Sequence, residues 1–226
     1  MWVSPVGGRD ATKPKNNLLM HAAFAATSIR SSLPDEVQWL YRRLMNDDHL
    51  ARARAQWSHR GSGRPKWAVE PGENQESVWD YPRPPRLDLD SRLVRVVHDG
   101  EVIAESRRAI RVLETASPPT FYIPPQDVRT ELLTRAPGAS LCEWKGSATY
   151  WSLCLDGHEI RDAAWSYEQP FVDFASLRGH LSFYPGKLEC YVGEDRVTAQ
   201  PGGFYGGWVT SEIVGPFKGE PGTGGW

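Results

Sequence analysis

Cysteine is scarce in this chain: three residues in 226, Cys142, Cys154 and Cys190, with no C-x-x-C pair. An odd, widely spaced set builds neither a disulfide framework nor a cysteine zinc knuckle, so a reducing cytoplasm, no structural metal and no cofactor are expected. Long apolar runs are missing as well. None approaches the roughly 18 residues of a membrane-spanning helix. Leu18 to Ala26 follows Lys13 and Lys15 in the manner of a short secretory segment, but it contains His21 and lacks a clean cleavage site, so export is not expected. The first stretch reads instead as an extension ahead of a start at Met20 or Met45.

Familiar catalytic signatures are also absent: there is no G-x-S-x-G elbow and no H-E-x-x-H. Gly202-Gly203-Phe204-Tyr205-Gly206-Gly207 lacks the Lys-Ser/Thr ending of a phosphate-binding loop and a helix to follow it. Asp88-Leu89-Asp90 has the spacing of a two-metal nucleotidyltransferase pair, with Gly61-Ser62 upstream, but two carboxylates alone do not define a magnesium site.

Charge is divided unevenly. Met1 to Lys66 carries 11 Lys+Arg against 5 Asp+Glu, and the remainder 15 against 23. A basic N-terminal extension and linker, partly helical, is therefore expected over 1–66, ahead of one acidic β-rich domain over 67–226. The acidic body argues against nucleic acid as a partner, because neutralising phosphates supplies most of the affinity in such complexes. A small molecule is the expected partner, and the oligomeric state is left open.

Ser32-Leu33-Pro34-Asp35 reads as a helix start, followed by Val37, Leu40, Tyr41 and Leu44 at helical spacing. A second helix is expected from Asp48 to Trp57, and Arg60 to Pro65 reads as linker. Beyond Glu76 the period changes. Asp99-Gly100 and Asp156-Gly157 each separate two β-branched or alternating runs, and a third hairpin is expected about Gly193-Glu194. Short helices are expected only at Gln126 to Leu133 and Phe171 to Leu177, both opened by proline. The tail from Pro201 has nine Gly and three Pro with Phe204, Tyr205, Trp208 and Phe217, which are expected to dock on the body.

The passage Cys142 to Trp151 brings a thiol, an ammonium and three large aromatics, Trp144, Tyr150 and Trp151, into ten residues. Lys145, between Trp144 and a Gly-Ser turn, is a candidate anion clamp or, if desolvation lowers its pKa, an activated amine. Its plainer alternative is a surface lysine with its stem on Trp144. Cys142 lacks an obvious histidine base, since His98 and His158 lie at hairpin turns, and a small buried residue is its expected role. Glu114 ends a strand beside the stiff stretch Ser117 to Pro125, a good place for an acid/base, and Tyr122 offers a phenol to the same space. Glu76 to Pro85 reads as an extended gate containing Trp79, with Arg83 able to bind a carboxylate or phosphate, or else to pair with an acid of the body.

Glu76 to Pro85, Arg111 to Thr115, Cys142 to Gly146, Tyr150-Trp151, Ala164 to Tyr167, Phe183 to Pro185 and Pro201 to Trp208 together resemble a bacterial and fungal family, domain of unknown function 427. The likeness covers about residues 51 to 226. It implies a mainly β, compact antiparallel fold similar to the β-tent (Mss4-like) group, with one or two short helices, here behind a helical extension. Many β-tent proteins hold zinc on two C-x-x-C knuckles, which this chain lacks, so no zinc is carried over. The family sometimes bears a nucleotidyltransferase label.

Two principal functions fit. One is an enzyme acting on a small organic molecule, with Glu114 as acid/base, Tyr122 beside it and Lys145 as clamp or activated amine. Its ligand would lie among Trp79, Arg83, Cys142, Trp144, Tyr150, Trp151 and Trp165. The other is a non-catalytic module whose aromatics cage a ligand, and nucleotidyl transfer is a weaker third.

Overall fold

The computed structural model describes residues 47–223 and 225–226. The helix expected from Ser32 lies outside them. Residues 47–55 are helical, close to the second expected helix. The chain divides into two units, 1–51 and 52–226, and the second carries the fold.

Among the described residues fifteen strands follow one another: β1 (Glu76–Ser77), β2 (Arg86–Asp90), β3 (Val94–His98), β4 (Glu101–Ser106), β5 (Ala109–Glu114), β6 (Ser117–Tyr122), β7 (Leu133–Cys142), β8 (Gly146–Leu155), β9 (His158–Ser166), β10 (Leu181–Phe183), β11 (Glu189–Val192), β12 (Asp195–Arg196), β13 (Thr198–Ala199), β14 (Trp208–Val209) and β15 (Ile213–Val214). They pair as three antiparallel sheets, ordered β2-β5-β6, β12-β11-β3-β4 and β10-β9-β8-β7, and two short ribbons, β13-β14 and the parallel β1-β15. The fold is mainly β and antiparallel, as expected. Among the described residues no helix is long and apolar enough to cross a membrane.

The hairpins follow from turn chemistry. Asp99 and Gly100 have φ of 49° and 82°, and Asp156 and Gly157 have φ of 49° and 80°. Two successive left-handed residues make the turn whose twist matches its strands, and Asp-Gly supplies them at little steric cost. β3 pairs with β4, β8 with β9 and β11 with β12 across the three expected turns.

Other segments differ from expectation. Gln126 to Leu133 forms two 3-10 turns, Pro125–Asp127 and Thr130–Leu132, and the later helical segment is likewise 3-10, over Val172–Leu177. Ser117 to Tyr122, with two prolines, is a strand rather than a stiff loop, and β7 runs through Pro137-Gly138. Both are edge strands, where a proline without N–H leaves no gap in the ladder, and both show register shifts against their partners. Glu76 to Pro85 is no gate: Ser77, Val78, Trp79, Tyr81 and Arg83 are buried, held by β1 and a 3-10 turn at Val78–Asp80.

Among the described residues three apolar clusters fill the interior. The largest joins β3, β4 and β6 to β8–β11 through Val94, Ile103, Phe121, Leu153, Phe183 and Trp208. The second, with Tyr122, Trp144, Trp165 and Tyr167, lies between β5–β6 and β8–β9, while Trp79, Tyr81 and Leu113 centre the third. Trp208 of the tail has no exposed surface, its ring 5.1 Å from Phe121 and its Nε1 donating to Phe183 O at 3.0 Å. The docking expected of the tail therefore holds for Trp208, whereas Phe204 remains 67% exposed.

The tail folds through close backbone approach. At Gly219, φ is 126° and an added Cβ would lie 2.0 Å from Pro201 O; at Gly222, φ is 87° and nothing lies within 4 Å. Gly219→Ala is expected to cost about 2 kcal/mol or more, because a clash with backbone adds to the left-handed strain, and Gly222→Ala only about 1 kcal/mol. Urea unfolding of both variants reads the difference, and equal losses would contradict the close approach.

Candidate functional site

Lys145 lies at the tip of the β7–β8 hairpin, where Cys142 pairs with Gly146 and Glu143-Trp144-Lys145 makes the turn. Gly146 takes φ of 102°, and Phe171 N donates to Lys145 O at 3.1 Å. The tip is thereby folded against the segment after β9. Trp144 is buried beneath it, and Arg54 lies 5.2 Å above the Trp144 ring. The lysine stem is buried too, so the solvated surface lysine is not what the chain builds.

Glu114 ends β5 on the facing side. Its Oε2 lies 3.7 Å from Lys145 Nζ, and its Oε1 accepts from Arg83 Nε at 3.2 Å. Burial opposes the charge on Lys145, but Cys142, Glu114 and Tyr122 together outweigh it and hold the pKa above the ordinary lysine value. An ammonium beside a carboxylate holds its proton more firmly than an ordinary lysine, which favours the anion clamp over the activated amine among the roles expected for Lys145.

Tyr122 accepts from Trp165 Nε1 at 3.0 Å, and burial pushes its pKa up to about 12. It stays a neutral phenol at ordinary pH. Tyr150 meets Ser140 Oγ at 2.7 Å, on the rim.

These groups surround one cavity of about 250 Å³. Glu114, Tyr122, Cys142, Lys145, Tyr150 and Trp165 line it, so the expected convergence of Glu114, Tyr122 and Lys145 is what the fold produces. Four other expected residues do not line it. Trp79 belongs to the third core cluster, with its Nε1 on Pro216 O at 3.2 Å. Trp144 is beneath the hairpin tip, and Trp151 donates to Ser166 Oγ at 2.9 Å on the sheet. Arg83 is spent internally: besides Glu114 it donates to His59 O, Thr115 O and Trp226 O at 3.0, 2.7 and 2.9 Å. It anchors Glu114 instead of meeting an anion.

Trp57 and Lys218 are among the contributors that were not expected. Trp57, read as a helix end, donates through Nε1 to Glu143 Oε1 at 2.6 Å and forms part of the wall. Lys218, from the glycine-rich tail, reaches the cavity with its Nζ 3.4 Å from the centre of the Trp57 ring and 4.9 Å from that of Tyr205. Burial pushes its pKa down to about 8, with Glu114 opposing and Arg83 assisting. No local signal marks Lys218, because nothing in a Gly/Pro tail states which side chain turns inward. Gly206 admits the tail: an added Cβ would lie 2.1 Å from the Trp165 ring.

The protein's own cations cover several aromatic faces. Arg83 lies 4.5 Å over Trp57, on which Lys218 also rests, and Arg54 covers Trp144. The Asp88 and Asp90 carboxylates are engaged by Arg86 and Arg92. Among the described residues no group of three or more His, Cys, Asp and Glu is arranged to hold a metal ion.

The model of the family described as Domain of unknown function (DUF427) matches residues 86–194. That segment of the chain belongs to the DUF427 family. The DUF427 segment holds Glu114, Tyr122, Cys142, Lys145, Tyr150 and Trp165, whereas Trp57, Tyr205 and Lys218 come from outside it. No curated protein matches the chain.

Proposed function

We propose that the cavity is the site of an enzyme acting on a small organic molecule with an anionic group, with Glu114 as acid/base and Lys145 as anion clamp. The observation that carries this reading is the meeting of Glu114, Tyr122 and Lys145 on one aromatic-walled cavity. The 3.7 Å between Lys145 Nζ and Glu114 Oε2 is beyond a hydrogen bond, so the ammonium retains capacity for a second anion. A neutral Tyr122 phenol adds a donor. The caged-cation alternative is weaker, because Trp57 and Trp144 already carry internal cations. Nucleotidyl transfer is weaker still; calorimetry with magnesium and a nucleoside triphosphate tests it. The reading takes the fold as β-tent-like and the compartment as the cytoplasm, which the three unpaired cysteines favour.

Calorimetric titration with benzoate and phenyl phosphate tests the clamp. Lys145→Met is expected to weaken binding about 10-fold or more, the scale of a lost charge-assisted hydrogen bond. Glu114→Gln is expected to tighten it, since the competing carboxylate is gone. No binding by the wild type, or equal binding by Lys145→Met, would sink the reading. With a substrate in hand, Glu114→Gln is expected to lower kcat about 10²-fold through loss of proton transfer.

A further inference from the structure

We propose that Lys218 is a covalent substrate-binding residue of this cavity, its ε-amine condensing with the carbonyl of an aldehyde or ketone that also carries an anionic group. The proposal rests on the small-anion reading of the cavity and deepens it by naming the substrate class.

The geometry carries it. Lys218 is only 4% exposed, yet it lines the cavity, and among the described residues its Nζ has no hydrogen-bonded or ion-paired partner. Its neighbours are the Trp57 and Tyr205 rings, and a ring face stabilises an ammonium less than a carboxylate does. Lys145 provides the contrast inside the same cavity: buried to a similar degree, it has Glu114 beside it. Of the two lysines in the cavity, Lys218 is therefore the one that gives up its proton more readily. With a pKa of about 8, roughly a tenth of Lys218 is free amine at pH 7, about 300-fold more than for an ordinary lysine.

In the reaction, the Lys218 nitrogen lone pair forms a bond to the carbonyl carbon, and the C=O π pair moves to oxygen. Glu114, whose charge acts on Lys218, takes a proton from nitrogen and returns it to oxygen, giving a neutral carbinolamine. A further proton converts the hydroxyl to departing water, and the nitrogen lone pair closes the C=N bond. The sum is amine, carbonyl and proton giving iminium and water, with no change of oxidation state. Lys145 would hold the anionic group of the same molecule.

Reductive trapping tests this on the full chain. The protein is treated with 4-formylbenzoate or glyoxylate and cyanoborohydride at pH 7, then analysed by intact mass and peptide mapping. The expected result is one dominant adduct on Lys218, lost in Lys218→Met and in Lys218→Arg, which keeps the charge and ring contacts but forms no imine. Excess benzoate should suppress it. Near-ultraviolet circular dichroism of both variants checks that they fold, and a pH profile of trapping in the wild type, independent of any variant, should have its midpoint near 8. Adducts scattered over surface lysines, or no Lys218 adduct from either carbonyl while benzoate still binds, would overturn the proposal and leave the anion site standing. Loss of benzoate binding as well would bring down both.

Discussion

Arg83→Met is expected to lower the free energy of unfolding by about 3 to 5 kcal/mol, the usual cost of removing one partner from a buried charge pair. The Arg83 side chain has no exposed surface. It ties three other segments to its own at one point: His59 before the sheets, the adjacent Glu114 and Thr115 at the end of β5, and Trp226 in the tail. Removing it leaves one buried and two part-buried carbonyls without that donor, each worth about 1 kcal/mol, and takes the nearer cation from Glu114. Lys145 still faces that carboxylate, so the loss is expected toward the lower half of the range. Arg83→Lys should recover little, because one ammonium cannot reproduce the planar fork that reaches four acceptors. Urea unfolding followed by tryptophan fluorescence measures both. A loss under about 1 kcal/mol in Arg83→Met would mean that the four segments are held together by something else.

The other large effect concerns pH. Lys218 has its pKa pushed down to about 8 in the folded chain, from an ordinary 10.5. Between those values the unfolded chain holds the proton and the folded chain does not, so stability rises with pH across this window. The contribution is fully present above the unfolded pKa and is lost as pH falls through about 8. The full difference corresponds to about 3 kcal/mol. The expected result is that the wild type gains stability from pH 7 to about 9.5 relative to Lys218→Met. The slope of that difference is the readout, because the variant also loses cation–π contact worth about 1 to 2 kcal/mol. Tyr81, Tyr122, Tyr167 and Tyr184 act in the opposite sense: burial raises their pKa values, so above about pH 10 they ionise first in the unfolded chain and stability falls. Their contribution cancels in the difference between wild type and variant. A flat difference would show that Lys218 titrates as an ordinary lysine.

How far the chain could be read in advance depended on whether the deciding interaction was local. Asp99-Gly100 and Asp156-Gly157 set their own turns through backbone conformation, and the flanking runs had only to pair. The same local reading misjudged Ser117 to Tyr122, because prolines that would break an inner strand are harmless at an edge, and edges exist only once the sheets are assembled. Trp79 looked like part of a gate for a related reason: an aromatic between prolines has the same sequence whether it swings open or is enclosed.

The site divides in the same way. Glu114 at a strand end and Lys145 in a Gly-Ser turn carried enough local signal to be singled out, and the sheets bring them to 3.7 Å. The sign of the Lys145 shift did not follow from its flanking Trp144, since desolvation and a facing carboxylate push in opposite directions and the carboxylate arrives from β5. Lys218 carried no signal at all. The sequence by itself determined the turns, the mainly β class and the two charged candidates, because those rest on backbone preferences and residue chemistry within a few positions. Only the tertiary structure decided which lysine holds its proton more weakly, because a pKa depends on charges and burial brought from distant parts of the chain.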